Sequence, residues 1–119
     1  MGETVLICDD DEGILEVTRL FLELEGYHVV TSKDSEIFFQ LLPETNPDVV
    51  LMDIWLPKTN GDVVTEYLKN DPVFRKIPIV LFSANRDVAN VAKRVGAEGF
   101  IRKPFDLNEV KNTIERVIH

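Results

Sequence analysis

Short apolar runs alternate with amphipathic stretches along the whole chain, and that alternation constrains the fold more tightly than any single motif. Val5–Cys8, Tyr27–Thr31, Asp48–Asp53, Ile77–Phe82 and Gly99–Arg102 read as five strands. The first, third and fourth are apolar nearly throughout, without the period-two pattern of a half-solvated sheet. Runs of this kind are buried on both faces, as in parallel sheets.

Between the strands, apolar residues recur at spacings of three and four, which is the helical period. The spacing predicts a first helix with Ile14, Val17, Leu20, Phe21 and Leu24 inward and a stop at Gly26. A second helix turns Ile37, Phe38, Leu41 and Leu42 inward and is expected to end before Pro43. A third buries Val63, Val64, Tyr67 and Leu68, and ends near Asn70-Asp71-Pro72. The fourth carries Val88, Val91, Ala92 and Val95 up to Gly96, and the last Leu107, Val110, Ile114 and Val117. Repeated βα units imply right-handed crossovers and helices on both faces of a parallel sheet. Five units are too few to close an eight-stranded barrel. The expected fold is therefore α/β, a doubly wound five-stranded parallel sheet of flavodoxin-like (βα)5 type. Its expected strand order is 2-1-3-4-5, in one domain spanning residues 1–119.

Composition narrows the function classes. A formal charge of −8 over 119 residues opposes direct nucleic-acid binding, because phosphate contacts need clustered Lys and Arg. Cys8 is the single cysteine and lies inside an apolar run, where it reads as a small buried hydrophobe with no disulfide partner. No basic segment followed by a long apolar stretch opens the chain, and no run approaches the ~20 apolar residues that span a bilayer. These features together point to the cytoplasm and away from membranes.

If the strands are parallel, their carboxyl ends share one edge. That edge then collects Asp9 and Asp10, Asp53, Ser83 and Lys103 from distant parts of the chain. Each alone is ordinary: an acidic turn, a helix cap, a surface charge. Together they place three carboxylates side by side, which repel unless a cation joins them. Mg2+ suits such a set, with Mn2+ as an alternative, since it is a hard ion content with one or two carboxylates, waters and phosphate oxygens. A carboxylate with that support can attack phosphorus to give an acyl-phosphate. Lys103 could then hold charge on the phosphoryl oxygens and the Ser83 hydroxyl could donate to one of them.

These residues match a family. Asp9-Asp10 after the first strand, Asp53 in Asp53-Ile54-Trp55-Leu56-Pro57-Lys58-Thr59-Asn60-Gly61, Ser83-Ala84 and Lys103-Pro104-Phe105 stand in order at the proper strand ends. The chain closely resembles a response-regulator receiver domain of two-component signalling, over essentially its full length. The resemblance implies that Asp53 is the phospho-acceptor, loaded from a histidine of a sensor kinase or phosphotransfer protein. It implies that Asp10, Asp9 (largely through water), Asp53 and the main-chain carbonyl of Trp55 hold Mg2+. It implies that Ser83 is the hydroxyl switch, Lys103 the phosphate-contacting lysine, Lys103-Pro104 a cis bond and Phe100 the aromatic switch. Output would then pass through helix 4, strand 5 and helix 5 to an unknown output domain or target, with a phosphorylation-dependent homodimer as one outcome. On this reading the domain is not an enzyme beyond its own phosphorylation and slow dephosphorylation.

Asp11 stands where the family more often has Glu. Trp55 and Asn85, two residues after Asp53 and Ser83, occupy variable positions flanking the acceptor, and Phe100 has no hydroxyl. A haloacid-dehalogenase-like phosphatase would need a second Asp at position 55, where Trp55 stands, and a flavin site would need a Ser/Gly-rich loop in place of Asp9–Glu12. A degenerate receiver acting as an unphosphorylated interaction module is the remaining alternative. The chain reads as either a free-standing receiver or the front of a longer regulator.

Overall fold

The computed structural model describes residues 2–118, so the two ends of the expected 1–119 domain, Met1 and His119, lie outside the described residues. Five strands alternate with five helices: β1 Thr4–Cys8, α1 Glu12–Leu24, β2 His28–Ser32, α2 Ser35–Thr45 and β3 Val49–Met52. They continue as α3 Gly61–Lys69, β4 Ile79–Ser83, α4 Val88–Val95, β5 Gly99–Arg102 and α5 Leu107–Ile118. All four pairings are parallel and the order is β2-β1-β3-β4-β5. The fold is the doubly wound one that the alternation implies. Among the described residues no helix is long and apolar enough to cross a membrane.

β3 and β4 are buried at every residue, which is why their sequences show no alternation. Alternate residues along them enter two separate cores. Val50, Met52, Ile79 and Leu81 meet α2, α3 and α4 on one face. Val49, Leu51, Val80 and Phe82 meet α1 and α5 on the other. Cys8 is fully buried in the first of these cores, and desolvation pushes its thiol up to about 12, so it packs as an apolar residue.

Three helices depart from the expected faces. On α1 the buried residues are Leu15, Thr18 and Leu22, while Val17, Leu20 and Leu24 face solvent. Ile14 and Phe21 of the expected stripe do pack against the second core, but the outward three recur at the same helical spacing, so periodicity alone did not separate them. On α3, Val64, Thr65 and Leu68 are buried whereas Val63 and Tyr67 are exposed. α2 buries Ser35, Phe38 and Leu42, leaves Ile37 outward, and runs through Pro43 to Thr45. Proline costs the bond to the carbonyl four residues back. The helix recovers because Asn46, in the left-handed region at φ 47°, donates its N–H to Leu42 O and closes the end. α4 matches its expected face in full, with Val88, Val91, Ala92 and Val95 buried and Gly96 left-handed at φ 84°. β4 begins at Ile79, two residues later than expected, because Pro78 offers no N–H to the ladder although its carbonyl accepts from Val50 N at 2.9 Å.

Candidate acidic site at the carboxyl edge of the sheet

Where the strands end, the ladder runs on for one more residue. Asp9 N donates to Ser32 O at 3.1 Å, Asp53 N to Cys8 O at 3.0 Å and Lys103 N to Ser83 O at 3.0 Å. The main chain of each charged residue is thus held by the neighbouring strand, and rigid elements position side chains better than loops do.

The side chains converge. Lys103 Nζ lies 2.5 Å from Asp9 Oδ2 and 3.1 Å from Asp53 Oδ2, and 4.9 Å from the centroid of the Phe82 ring. Asp9 and Asp53 are buried, Asp10 is exposed, and one oxygen from each of the three lies within 4.8 Å of the others. Asp9 Oδ1 accepts from Asp11 N at 2.9 Å, and Asp53 Oδ1 from Trp55 N at a long 3.4 Å. Burial raises the Asp9 carboxyl above its ordinary range, more than the hydrogen bond from Lys103 lowers it. For Lys103, burial pulls downward, but the hydrogen bond to Asp9 and the charges of Asp53 and Asp9 outweigh it and raise its pKa. The causes differ: burial dominates for Asp9, whereas Lys103 is raised by its two carboxylate partners, and Asp10 adds a third carboxylate beside them without a bond to the ammonium. Oxygen donors with an unmet demand for positive charge suit a hard divalent cation.

Ser83 is fully buried, and its hydroxyl accepts from Asn85 N at 3.3 Å while its carbonyl holds Lys103. Asn85 Oδ1 in turn accepts from Asp87 N at 2.8 Å. The Trp55 ring is exposed beside Asp53. Phe100 is also partly exposed, with the Arg102 guanidinium 5.2 Å from its ring centroid. The Lys103-Pro104 bond is cis.

Two structural residues of the site escaped the sequence reading. Gly61 opens α3 directly beneath Asp53, and a Cβ there would stand 1.8 Å from Asp53 O. Its N–H donates to Ile54 O at 2.7 Å, closing the loop that leaves the acid. Ser35, at the start of α2, donates its hydroxyl to Pro57 O at 3.3 Å and accepts from Thr59 N at 2.9 Å. Gly61 was visible as a turn residue without its reason, whereas nothing in the sequence pairs Ser35 with Pro57 and Thr59. Between them, Lys58 takes a left-handed φ of 78°.

The sequence profile of the response regulator receiver domain matches residues 5–115. The chain belongs to that family. The polar-differentiation response regulator DivK of Brucella ovis is 31% identical over 118 residues, covering 97% of this chain and 95% of DivK. The phosphate regulon transcriptional regulatory protein PhoB of Pseudomonas aeruginosa is 31% identical over 120 residues, covering 99% of this chain and 52% of PhoB. This receiver thus spans about half the length of several curated relatives it matches, and nearly all of DivK. A CheY-like receiver domain protein from Methanospirillum hungatei shares the fold, with TM-score 0.89 and 23% identity over 99% of this chain and 94% of that one.

Proposed function

We propose that this receiver accepts a phosphoryl group on Asp53 from a phosphohistidine of a sensor kinase or phosphotransfer protein. The observation that carries the reading is the pairing of two buried carboxylates from different strands with one ammonium, with Asp10 alongside. An Asp53 carboxylate oxygen attacks phosphorus, the P–N bond breaks, and the imidazole leaves with the bonding pair and takes a proton. Lys103 stays cationic throughout and holds negative charge on the transferred group. A Mg2+ held by Asp9, Asp10, Asp53 and the Trp55 carbonyl, or Mn2+ in its place, would supply further positive charge to the phosphoryl oxygens.

The same reading gives Ser83 and Phe100 a joint role. The Ser83 hydroxyl, which accepts from Asn85 N, would turn to the new phosphoryl oxygens, and Phe100 would move inward from its exposed position. That repacks the α4–β5–α5 surface, the face offered to an output domain, a target protein or a second copy. The domain turns over nothing but its own acyl-phosphate, and Trp55 and Asn85 flank the group whose hydrolysis ends the signal. It works in the cytoplasm as one domain, without touching nucleic acid itself.

Incubation with acetyl phosphate and Mg2+ should label the wild-type chain, and Asp53→Asn should abolish the label. Stoichiometric labelling of that variant would remove Asp53 from the role. Because Trp55 N–H lies on Asp53, Mg2+ or beryllofluoride should also change the indole fluorescence. A flat titration at saturating ligand would count against Trp55 as a neighbour of the bound group.

A further inference from the structure

We propose that the cleft between α2 and α3 is a docking groove for a basic amphipathic helix of a partner protein. This surface begins beside the loop that leaves the acidic edge, and it goes beyond the phospho-acceptor reading. The groove encloses about 370 Å³ and is lined by Phe39, Thr59, Val63, Val64 and Tyr67. Phe39 and Tyr67 meet edge to face, 5.7 Å between centroids at 86°, and bridge the two helices. Phe39, Val63 and Tyr67 remain 37, 53 and 57% exposed. A contiguous apolar patch on an otherwise acidic surface marks a place where another molecule sits.

The charge around the groove selects the occupant. Glu36 lies three residues before Phe39 on α2, and Glu66 three residues after Val63 on α3, so each shares a face with a lining residue. Both are exposed, and neither enters an ion pair among the described residues. Asp62, on the far side of α3, instead meets Arg94 of α4 at 3.7 Å. The groove thus has an apolar floor, and each flanking helix carries a carboxylate that enters no ion pair among the described residues. A helix with an apolar stripe and Lys or Arg on its margins is the complement. The nine residues of α3 give a seat about 13 Å long at ~1.5 Å per residue, enough for two to three turns of a bound helix. One end is already fixed, because Thr59 is tied to α2 through Ser35, and a preformed seat loses less entropy on binding.

The test uses the isotope-labelled chain and a synthetic helix of about 12–15 residues built from Leu and Lys at helical period. Saturable amide shifts at Phe39, Thr59, Val63 and Tyr67 are expected, weakening with salt. A peptide of equal composition with the period broken, and a Leu/Glu version, should bind about tenfold more weakly or not at all. The paired substitution Val63→Asp with Tyr67→Ser, and separately Glu36→Lys with Glu66→Lys, should each weaken binding about tenfold. Leu20→Ser on α1 should change nothing. All these positions are exposed, and circular dichroism of each variant checks that it is folded. Shifts confined to α1, the acidic edge or the α4–β5–α5 face would overturn the proposal, as would equal binding of the broken-period peptide. So would groove shifts that follow protein concentration before any peptide is added, which would assign the face to a second copy.

Discussion

Two half-buried lysines hold the two ends of the sheet, and they do it in opposite ways. Lys69, at the end of α3, donates to Ile77 O at 2.8 Å, Arg75 O at 3.1 Å and Glu98 Oε2 at 2.7 Å. Glu98 returns its other oxygen to the Ile79 N–H at 2.8 Å, where β4 begins. Lys103 stands at the other end, on Asp9 and Asp53 with Asp10 beside them. The side chains are equally buried, 11% exposed for Lys69 and 13% for Lys103. Burial therefore does not separate a latch from a site. The ratio of charges does: one acid to one lysine at the first, three to one at the second.

That contrast can be broken most directly by removing each cation. Lys103→Met strands two buried carboxylates and should cost about 3 kcal/mol at neutral pH without divalent ions, read by urea unfolding. Mg2+ should then restore more stability to this variant than it adds to wild type, because bound cation stabilises the state that holds it. Lys69→Met should cost about 1–3 kcal/mol for its unpaired carbonyls and Glu98, with no extra response to Mg2+. An equal Mg2+ response in both variants would dissolve the comparison.

Neutralising the acids sharpens it through opposite signs. Without divalent ions, Asp53→Asn should stabilise the fold by about 1 kcal/mol by relieving repulsion. Glu98→Gln should destabilise by about the same amount, since its lysine loses a charged partner. A destabilised Asp53→Asn would show that the cluster holds no surplus of negative charge. Asp9 adds a pH dependence. Its folded pKa is raised above the ordinary 3.8, so the folded state holds the proton more tightly than the unfolded chain does. The stability it contributes is full below 3.8, falls as pH rises through the raised folded value, and is flat beyond. Asp9→Asn, or saturating Mg2+, should remove that slope from a pH series of unfolding midpoints. The smallest effect belongs to a third lysine: Lys33 pairs with Glu12 on the surface, and Lys33→Ala should leave both the unfolding curve and its Mg2+ dependence unchanged.

The sheet and its charged edge were legible because both follow from local pattern. A strand buried on both faces is an unbroken apolar run, and its first charged residue marks where it leaves the core, as at Asp9 and Asp53. The convergence of Asp9 and Asp53 on Lys103 then follows from parallel strand order alone. Helix faces were legible only where a single apolar stripe exists. α4 has one and was read in full. α1 has two, and its true inward stripe includes the polar Thr18, whose buried hydroxyl has no hydrogen-bond partner among the described residues. Periodicity favoured Val17, Leu20 and Leu24, which the fold leaves outside. The Lys69–Glu98 latch and the Ser35 bridge join residues 29, 22 and 24 apart. No spacing rule links such pairs, because the contact is made by the packed helices and not by the chain.

Gly61 carries a consequence for how this receiver tolerates change. A side chain at that position would occupy the space of the Asp53 carbonyl, so every substitution must push apart the start of α3 and the proposed acceptor. In a saturation library scored for signalling, position 61 should look as intolerant as position 53. Yet Gly61 has no group that could bind an ion or move a proton. Sensitivity to replacement here measures crowding as faithfully as it measures reactivity, and only the labelling assay tells the two apart.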